Sequence, residues 1–300
     1  MTRLVPNNSF IFRWFFHTQK MWNLSANIVH IANNLINTMP EPSIHPTAIV
    51  SPNAVLAEGV TVGPFSIIHD HVEIGSNTVI GPHVVIYDYV RMGAENRVHA
   101  HAVIGDLPQD VSFDRSTETW VEIGDANTLR ENVTIHRSTS TLKATRLGSN
   151  GFLMVNTHIG HDCNVGDGVI LTINTAIGGH VEIGNNAVFG GSVAVHQFCR
   201  IGRNAMIAGF VAVRKDVMPF TMVAGEKAHH YRLNAVGLRR SGIKGDRYRT
   251  LEQAYRAVRS GDKSLEGIAN TEEVEYLREW LSQDSRRGLS GFLSENKKPD

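Results

Sequence analysis

The sequence has few cysteines and no long apolar run, and both absences restrict the class of protein. Only two of the 300 residues are cysteine, too few for a disulfide framework or a cysteine-based zinc motif. No run of about eighteen apolar residues occurs, so we expect no membrane span. Acidic and basic side chains are equal in number, 29 of each, which argues against a nucleic-acid-binding protein.

Acidic residues are also missing from the beginning of the chain. No Asp or Glu precedes Glu41, whereas the same segment contains Arg3, Arg13, Lys20 and several aromatic residues. A basic segment without acidic residues is typical of an organellar transit peptide. We therefore predict that residues 1–42 are a presequence or a disordered extension and that the protein is mitochondrial, with a cytoplasmic or plastid location as the alternatives.

A six-residue period organises most of the remaining chain. An aliphatic residue recurs without a miss at Ile44, Val50, Leu56, Val62, Ile68, Ile74, Ile80, Ile86, Met92, Val98 and Ile104. The same spacing resumes at Ile123 and, after a second break, continues from Leu147 to Val213. This period fits neither an α-helix nor a coiled coil, and it indicates short strands joined by tight corners.

Three six-residue units would form one coil of eighteen residues, with glycine after the aliphatic residue to relax the corner. The pattern resembles that of hexapeptide-repeat proteins, and the resemblance implies a left-handed parallel β-helix over residues 43–220 that assembles as a homotrimer. Coils stack at a spacing of about 4.8 Å, so residues eighteen apart should be neighbours. We expect Asn156 and Asn174 to stack as an internal amide ladder, and Cys163 and Cys199 to lie too far apart for a disulfide.

The interruptions of the repeat predict where a binding face lies. Residues 105–122 and 137–146 do not follow the period, and such insertions in a solenoid commonly project from the functional face. Beyond residue 220 the repeat stops, and residues 248–258 and 273–281 have apolar residues at helical spacing. We therefore predict an all-β protein with an α-helical C-terminal domain over residues 221–300.

The eighteen-residue spacing brings a histidine cluster together. It places His161 beside Gly179 and Asp162 beside His180. A histidine can accept a proton near neutral pH, a carboxylate can orient it, and a backbone N–H can stabilise a developing oxyanion. The arrangement predicts general-base catalysis, and metal ligation by the histidines is the alternative.

Five ordered motifs resemble those of the UDP-N-acetylglucosamine O-acyltransferase family. They are residues 135–137 (Ile-His-Arg), 156–163 (Asn-Thr-His-Ile-Gly-His-Asp-Cys), 178–181 (Gly-Gly-His-Val), 194–199 (Ala-Val-His-Gln-Phe-Cys) and 237–240 (Gly-Leu-Arg-Arg). The resemblance extends from about residue 44 into the C-terminal region. It implies transfer of a fatty acyl group, expected to be 3-hydroxylated, from acyl carrier protein to the 3-hydroxyl of UDP-N-acetylglucosamine, early in lipid A-type synthesis.

The resemblance also implies roles for individual residues. His161 would be the base, Asp162 would orient it, and the Gly179 N–H would stabilise the oxyanion. The implied substrate-binding residues are Gln109, Asp110, His158, His180, His196, Gln197, Asn234 and Arg240. Met206 and Gly209 would limit the acyl chain length. The resemblance implies no metal and no cofactor, because the acyl group arrives on the phosphopantetheine arm of the carrier protein.

Three positions depart from the family's usual pattern and leave two alternatives open. Val236 replaces an acidic residue, Ser241 replaces an arginine, and Ser112 replaces a lysine. One alternative is a related hexapeptide acyltransferase or acetyltransferase with a different acceptor. The other is an organellar subunit similar to γ-class carbonic anhydrase, although the two residues between His158 and His161 do not match the spacing of that family's zinc ligands.

Overall fold

A computed structural model describes residues 41–293 and shows a β-solenoid followed by three helices. Over most of the chain, successive short strands join three sheets in rotation, so that every third strand belongs to the same sheet and pairs in parallel with its neighbours. The segment predicted as a presequence, residues 1–42, lies outside the described residues except for its last two. Within residues 41–293, none of the helices is both long and apolar enough to cross a bilayer.

The three sheets contain 11, 9 and 8 strands. The first sheet consists of β1 (Ser43–Ile44), β4 (Thr61–Val62), β7 (Val79–Ile80), β10 (Arg97–Val98), β13 (Thr128–Leu129), β16 (Phe152–Leu153), β19 (Ile170–Leu171), β22 (Val188–Phe189), β25 (Met206–Ile207), β27 (Thr221–Ala224) and β28 (His229–Leu233). The second consists of β2 (Ile49–Val50), β5 (Ile67–Ile68), β8 (Val85–Ile86), β11 (Val103–Asp106), β14 (Thr134–His136), β17 (His158–Ile159), β20 (Ala176–Ile177), β23 (Ala194–Val195) and β26 (Ala212–Val213). The third consists of β3 (Val55–Leu56), β6 (Val72–Ile74), β9 (Val90–Met92), β12 (Val121–Ile123), β15 (Thr145–Leu147), β18 (Asn164–Val165), β21 (Glu182–Ile183) and β24 (Arg200–Ile201).

The strand register confirms the eighteen-residue spacing. In the uninterrupted part of the solenoid, Ile170 pairs with Val188 and Ile177 with Val195. The aliphatic residues of the repeat point inward and form one continuous core, and most of them, such as Ile86 and Leu153, are fully buried. Ile44 is an exception at 45% exposed, because it lies in the first coil of the described chain and has no coil before it to cover it.

The glycines that follow the aliphatic residues have a different role from the one predicted. Gly75, Gly160 and Gly184 do not have a positive φ. A Cβ on any of them would lie 2.5–2.9 Å from backbone atoms of the next coil. The prediction that glycine relaxes the corner at these positions is therefore wrong, since glycine is needed there to let adjacent coils approach closely.

Other residues supply the left-handed conformation at the corners, and asparagine is common among them. Asn132, Asn156 and Asn174 each have a φ near 60°, a conformation that asparagine tolerates better than most residues. Asn156 Nδ2 donates to Asn174 Oδ1 at 3.1 Å, so the predicted ladder exists. Both side chains are exposed, so the ladder lies on the outside of the coil and the prediction of an internal ladder is wrong.

Both insertions are shorter than the sequence predicts. The first was placed at residues 105–122, but Asp106 pairs with His136 and Val121 with Val90. The second was placed at residues 137–146, but β15 begins at Thr145. The insertions are therefore residues 107–120 and 137–144, because strand pairing continues into residues that do not follow the six-residue pattern.

The helical part of the chain begins later than the predicted residue 221. β27 pairs in parallel with β25 and antiparallel with β28, which extends the first sheet to Leu233. Three helices follow: α1 (Ala235–Arg240), α2 (Asp246–Arg259) and α3 (Glu272–Ser282). The predicted helical stretches lie within α2 and α3, whose apolar faces form a second core with Met218 and Phe220.

The segment after α3 is fastened to the end of the solenoid. Arg200, which is 8% exposed, donates to the Trp280 carbonyl and the Gln283 side chain, both at 2.8 Å. The Asp216 N–H donates to the Gly288 carbonyl at 2.9 Å, and the Ser290 N–H donates to the Asp216 carbonyl at 2.8 Å. The segment therefore has a defined position relative to the last coils.

His230 anchors the same segment and should make stability pH-dependent. Its Nε2 accepts from the Met218 N–H at 2.8 Å, and its Nδ1 donates to the Ser290 carbonyl at 3.0 Å, which requires a neutral ring. Burial lowers the pKa of His230 from 6.5 to about 4. The unfolded chain therefore binds an extra proton between these values, and we expect His230 to cost about 3 kcal/mol of unfolding free energy as the pH falls through this range.

Urea unfolding at a series of pH values measures this effect. The His230→Leu variant should be less stable than the wild type at pH 7, because it loses both hydrogen bonds. Its unfolding free energy should depend less steeply on pH between 6.5 and 4. An unchanged slope in the variant would show that His230 is not responsible for the loss at acid pH.

Candidate active site

His161 and Asp162 occupy the corner that follows β17 and form a hydrogen-bonded pair. His161 Nδ1 lies 2.7 Å from Asp162 Oδ2. The two side chains are 13% and 8% exposed, so water screens the pair only weakly. Asp162 has a φ of 60°, which turns its side chain back toward the imidazole. The carboxylate fixes the proton on Nδ1 and leaves Nε2 as a proton acceptor.

The second insertion encloses Asp162, a contact that the sequence interpretation missed. Ser138 Oγ and the Thr139 N–H donate to Oδ1, and Thr139 Oγ1 donates to Oδ2. Burial alone would raise the pKa of Asp162, but the hydrogen bonds from His161, Ser138 and Thr139 outweigh burial and hold that pKa well below its usual range. Asp162 therefore remains a carboxylate throughout the neutral range.

Gly179 lies directly against the imidazole, one coil further along. A Cβ at this position would be 2.7 Å from His161 Nε2. Gly179 is buried, and in the described part of the chain its N–H donates no hydrogen bond. The absence of a side chain thus leaves room for a reacting group beside Nε2, together with an unused backbone donor.

Two further histidines line the same region in their neutral forms. His180 Nε2 lies 3.5 Å from Asp162 Oδ2. His158 Nδ1 lies 2.7 Å from Thr134 Oγ1, and burial, reinforced by His136 and His161, lowers the pKa of His158 to about 4. Both histidines can therefore serve as neutral hydrogen-bonding groups near His161.

The first insertion brings Asp110 toward this cluster. Asp110 Oδ1 accepts from the N–H and hydroxyl of Ser112, at 2.9 and 2.7 Å. These bonds lower the pKa of Asp110, and the nearby His161 acts in the same direction. Asp110 is only partly buried and Gln109 is exposed, so both side chains are accessible to a ligand.

The remaining predicted residues do not all join His161 within one chain. Met206 lies on β25 in the first sheet, and Gly209 lies at the corner after it, against the Gly191 carbonyl. The Asn234 side chain caps α1 and donates to the Asn204 carbonyl at 2.9 Å, at a different corner from His161. His196, Gln197 and Arg240 are exposed, and His196 Nδ1 lies 3.1 Å from the Gln197 carbonyl.

The histidine cluster around Asp162 is also the place where the described residues could hold a metal ion. Ligand atoms of His161, Asp162 and His180 lie within 4.8 Å of one another, and no other such group occurs among residues 41–293. However, Nδ1 of His161 and both oxygens of Asp162 already have partners within the protein. The prediction of a metal-free site stays a prediction.

The arrangement favours removal of a proton from a hydroxyl that attacks a carbonyl group. Nε2 of His161 is positioned to accept the proton, and Asp162 stabilises the resulting imidazolium. The Gly179 N–H can donate to an oxyanion formed beside it. Both cysteines, Cys163 and Cys199, are buried, and burial raises the pKa of each thiol to about 12.

Comparison with known proteins gives one consistent result. A family model described as UDP-N-acetylglucosamine O-acyltransferase, domain 2, matches residues 216–290. A curated relative from Cupriavidus pinatubonensis, named acyl-(acyl-carrier-protein)-UDP-N-acetylglucosamine O-acyltransferase, is 56% identical over 83% of this chain and 94% of its own length. A relative of the same name from Psychrobacter arcticus is 52% identical over 82% of this chain and 98% of its own length.

Solved structures of proteins with similar names match the fold. The UDP-N-acetylglucosamine acyltransferase of Bacteroides fragilis gives a TM-score of 0.78 at 34% identity, covering 82% of this chain and 98% of that structure. The match confirms the predicted left-handed parallel β-helix with a small helical C-terminal part.

Proposed function

The chain belongs to the acyl carrier protein-dependent UDP-N-acetylglucosamine O-acyltransferase family, and from this premise we propose that His161 is the general base of the acyl transfer. The reaction moves a fatty acyl group from the carrier thioester to the 3-hydroxyl of UDP-N-acetylglucosamine. The mechanism rests on the position of the His161 imidazole. Its Nδ1 contacts Asp162, and its Nε2 lies beside Gly179.

The first step forms the carbon–oxygen bond. Nε2 of His161 accepts the proton of the sugar 3-hydroxyl while the hydroxyl oxygen attacks the thioester carbonyl carbon. The carbonyl oxygen becomes an oxyanion, and the Gly179 N–H donates to it. Asp162 accepts a hydrogen bond from the imidazolium Nδ1 and stabilises its charge.

The second step breaks the carbon–sulfur bond. The tetrahedral intermediate collapses to the ester and expels the phosphopantetheine sulfur, which takes the proton from His161. The base returns to its neutral form, and no residue of the protein becomes acylated. His158, His180, Gln109 and Asp110 surround this point as proposed substrate contacts, and His196 and Gln197 lie one coil further toward the C-terminus.

The proposed active form is a homotrimer, and the side chains on the outside of the sheets support it. The outward residues of the second sheet are mainly apolar: Ile49, Ile67, Val85, Val103, Ala176, Ala194 and Ala212. Those of the third sheet are mainly charged: Glu73, Arg91, Glu122, Arg146 and Glu182. His161 lies at the corner between the second and third sheets, and Gly209 lies at the corner between the first and second, in a later coil. We propose that the acyl chain passes both regions by lying between two copies packed along the second sheet.

Light scattering tests the trimer directly. The protein should have three times the mass of its 33.1 kDa chain. Ala194 is an exposed residue of the second sheet, so Ala194→Glu should dissociate the trimer by burying a charge. Asn164→Glu, on the charged third sheet, should leave the mass unchanged. A monomeric wild-type protein, or equal effects of the two variants, would contradict the proposed interface.

The proposed nucleotide-binding residues differ more from the family's usual pattern than the catalytic residues do. Val236 is 50% exposed and cannot accept a hydrogen bond from a ribose. Ser241 Oγ accepts from Asn204 Nδ2 at 2.7 Å, which uses the side chain where the family commonly has an arginine. We propose that Arg240, which is exposed, remains a uridine diphosphate contact supplied across the trimer interface. Asn234 is buried and bonded to Asn204 and Gly237, so we propose that it positions α1 instead of binding the nucleotide.

An acceptor and donor panel tests the proposed function. Purified protein is incubated with acyl carrier protein bearing chains of different length, with and without a 3-hydroxyl, and the release of carrier thiol is measured. Release should require UDP-N-acetylglucosamine, and UDP-glucose should not replace it. Equal release with both nucleotides, or with water alone, would exclude the proposed acceptor specificity.

We also propose that residues 1–42 direct the protein to mitochondria, on the basis of their basic, acid-free composition. A fluorescent protein fused to residues 1–42 should accumulate in mitochondria, and a fusion to residues 43–300 should not. Substituting Arg3, Arg13 and Lys20 by glutamate should abolish the import. Plastid or cytoplasmic fluorescence of the first fusion would contradict this location.

A further inference from the structure

A column of stacked side chains runs from the catalytic pair toward the C-terminal end of the solenoid. The His161 and His180 rings meet edge to face at 5.1 Å, and His180 stacks on Phe198 at 4.6 Å with an interplanar angle of 12°. The Arg286 guanidinium carbon lies 4.6 Å from the centre of the Phe198 ring. Arg286 therefore continues the column beyond Phe198.

The chain around Arg286 is held in place independently of this contact. Ser285 Oγ accepts from the N–H groups of Arg287 and Gly288, at 3.2 and 2.7 Å. Arg287 Nε donates to the Arg214 carbonyl at 3.2 Å, and the backbone hydrogen bonds of Asp216 with Gly288 and Ser290 fix the next residues. Arg287 thus anchors the segment, while Arg286 is directed to the active-site column.

The Arg286 guanidinium is exposed, and no carboxylate within residues 41–293 pairs with it. Stacking on Phe198 restricts the plane of the guanidinium and leaves its N–H donors at the edge available. The Arg286 charge affects the nearby His180. Burial is the main cause that lowers the pKa of His180. The charges of His161 and Arg286 lower this pKa further, whereas Asp162 and Asp110 raise it. Arg286 is therefore a preoriented cation without a carboxylate partner in the described chain, separated from His161 by the Phe198 and His180 rings.

We propose that Arg286 is a substrate-binding residue that holds a phosphate group at the end of the ring column. Phosphate and carboxylate groups both match a planar guanidinium with free edge donors, since two N–H groups can donate to two oxygens. The proposal rests on the proposed function, because both substrates of that reaction carry phosphate. The acceptor contributes a diphosphate, and the donor contributes the phosphodiester of its phosphopantetheine arm.

Steady-state kinetics of Arg286→Gln and Arg286→Lys test the proposal. Loss of a charged hydrogen bond should raise KM for one phosphate-bearing substrate by about tenfold to a hundredfold in Arg286→Gln, with little change in kcat. Arg286→Lys should be intermediate, because it keeps the charge but not the planar donor pair. Melting temperatures of both variants should match the wild type, since the side chain is exposed.

Two donor analogues distinguish the sources of the phosphate. If Arg286 binds the carrier phosphodiester, the wild type should prefer acyl-phosphopantetheine to acyl-pantetheine, and Arg286→Gln should lose that preference. If Arg286 binds the nucleotide diphosphate, KM for UDP-N-acetylglucosamine should rise instead. Either result supports phosphate binding.

Arg232→Gln provides a matched control. Arg232 is also exposed and lies 5.0 Å from the centre of the Tyr231 ring, but on β28, so its kinetic constants should equal those of the wild type. A lower kcat of Arg286→Gln with both KM values unchanged would show that Arg286 supports His180, and would overturn the proposal. Unchanged kcat and KM values in Arg286→Gln would overturn it as well. A wrong proposed function can be distinguished from a wrong role of Arg286, because in the first case the wild type itself would be inactive in acyl transfer.

Discussion

Replacement of His161 by alanine is expected to lower kcat for acyl transfer by about 100- to 10,000-fold, the usual contribution of a general base. His161 offers the acceptor nitrogen beside Gly179, and the neighbouring histidines cannot replace it. His158 Nδ1 faces Thr134 Oγ1 at 2.7 Å, and His180 Nε2 faces Asp162 Oδ2 at 3.5 Å. Initial rates of thiol release at saturating substrate measure the loss.

The variant should keep the fold and the assembly of the wild type, because the imidazole contributes little to the buried core. Its melting temperature and its mass by light scattering should therefore be unchanged. His71→Ala is a suitable control, since His71 also stacks on an aromatic ring, Tyr89, at 5.2 Å on the outside of the coil. Near-normal turnover of His161→Ala would remove His161 from the mechanism.

Gly179→Ala is expected to be almost as damaging, although it adds a single methyl group. The new Cβ would lie 2.7 Å from both Nε2 and Cε1 of His161. The imidazole must move aside, and a displacement near 1 Å costs about 100-fold in rate when it separates a base from its reacting group. The backbone N–H remains, so the loss measures the position of the base and not the number of oxyanion donors.

Gly191→Ala separates this effect from a general intolerance of the corner to side chains. Gly190 and Gly191 repeat the Gly-Gly pair of residues 178 and 179, yet a Cβ at Gly191 meets no atom closer than 3.4 Å. Gly191→Ala should therefore keep near wild-type kcat. Equal losses in both variants would show that the damage arises from the backbone and not from contact with His161.

The repeat made much of the fold predictable from sequence, because one inward position every six residues leaves few ways to arrange the chain. The same spacing predicts that His161 lies beside Gly179 and Asp162 beside His180, and both contacts are present. A solenoid converts sequence distance into spatial distance, which a globular core does not do.

Contacts made by insertions and by the C-terminal segment could not be predicted in this way. Ser138 and Thr139 bind Asp162 from outside the repeat, where the distance along the sequence does not predict the distance in space. The high Ser/Thr content of that insertion did indicate that it could supply hydrogen-bond donors. Arg286 reaches Phe198 from 88 residues further along the chain. The role of the glycines was misjudged because composition does not distinguish a need for positive φ from close approach of the backbone.

Single-turnover analysis by rapid quench and intact mass spectrometry tests the central claim most directly. Enzyme in excess is mixed with acyl carrier thioester, with or without UDP-N-acetylglucosamine, and the protein and the nucleotide sugar are weighed at each time. Direct attack assisted by His161 predicts that the protein mass never changes and that acyl-UDP-N-acetylglucosamine, with the ester on the 3-oxygen, appears as the thioester disappears. An acylated enzyme formed without the acceptor, or an unmodified nucleotide sugar after the thioester is consumed, would contradict it.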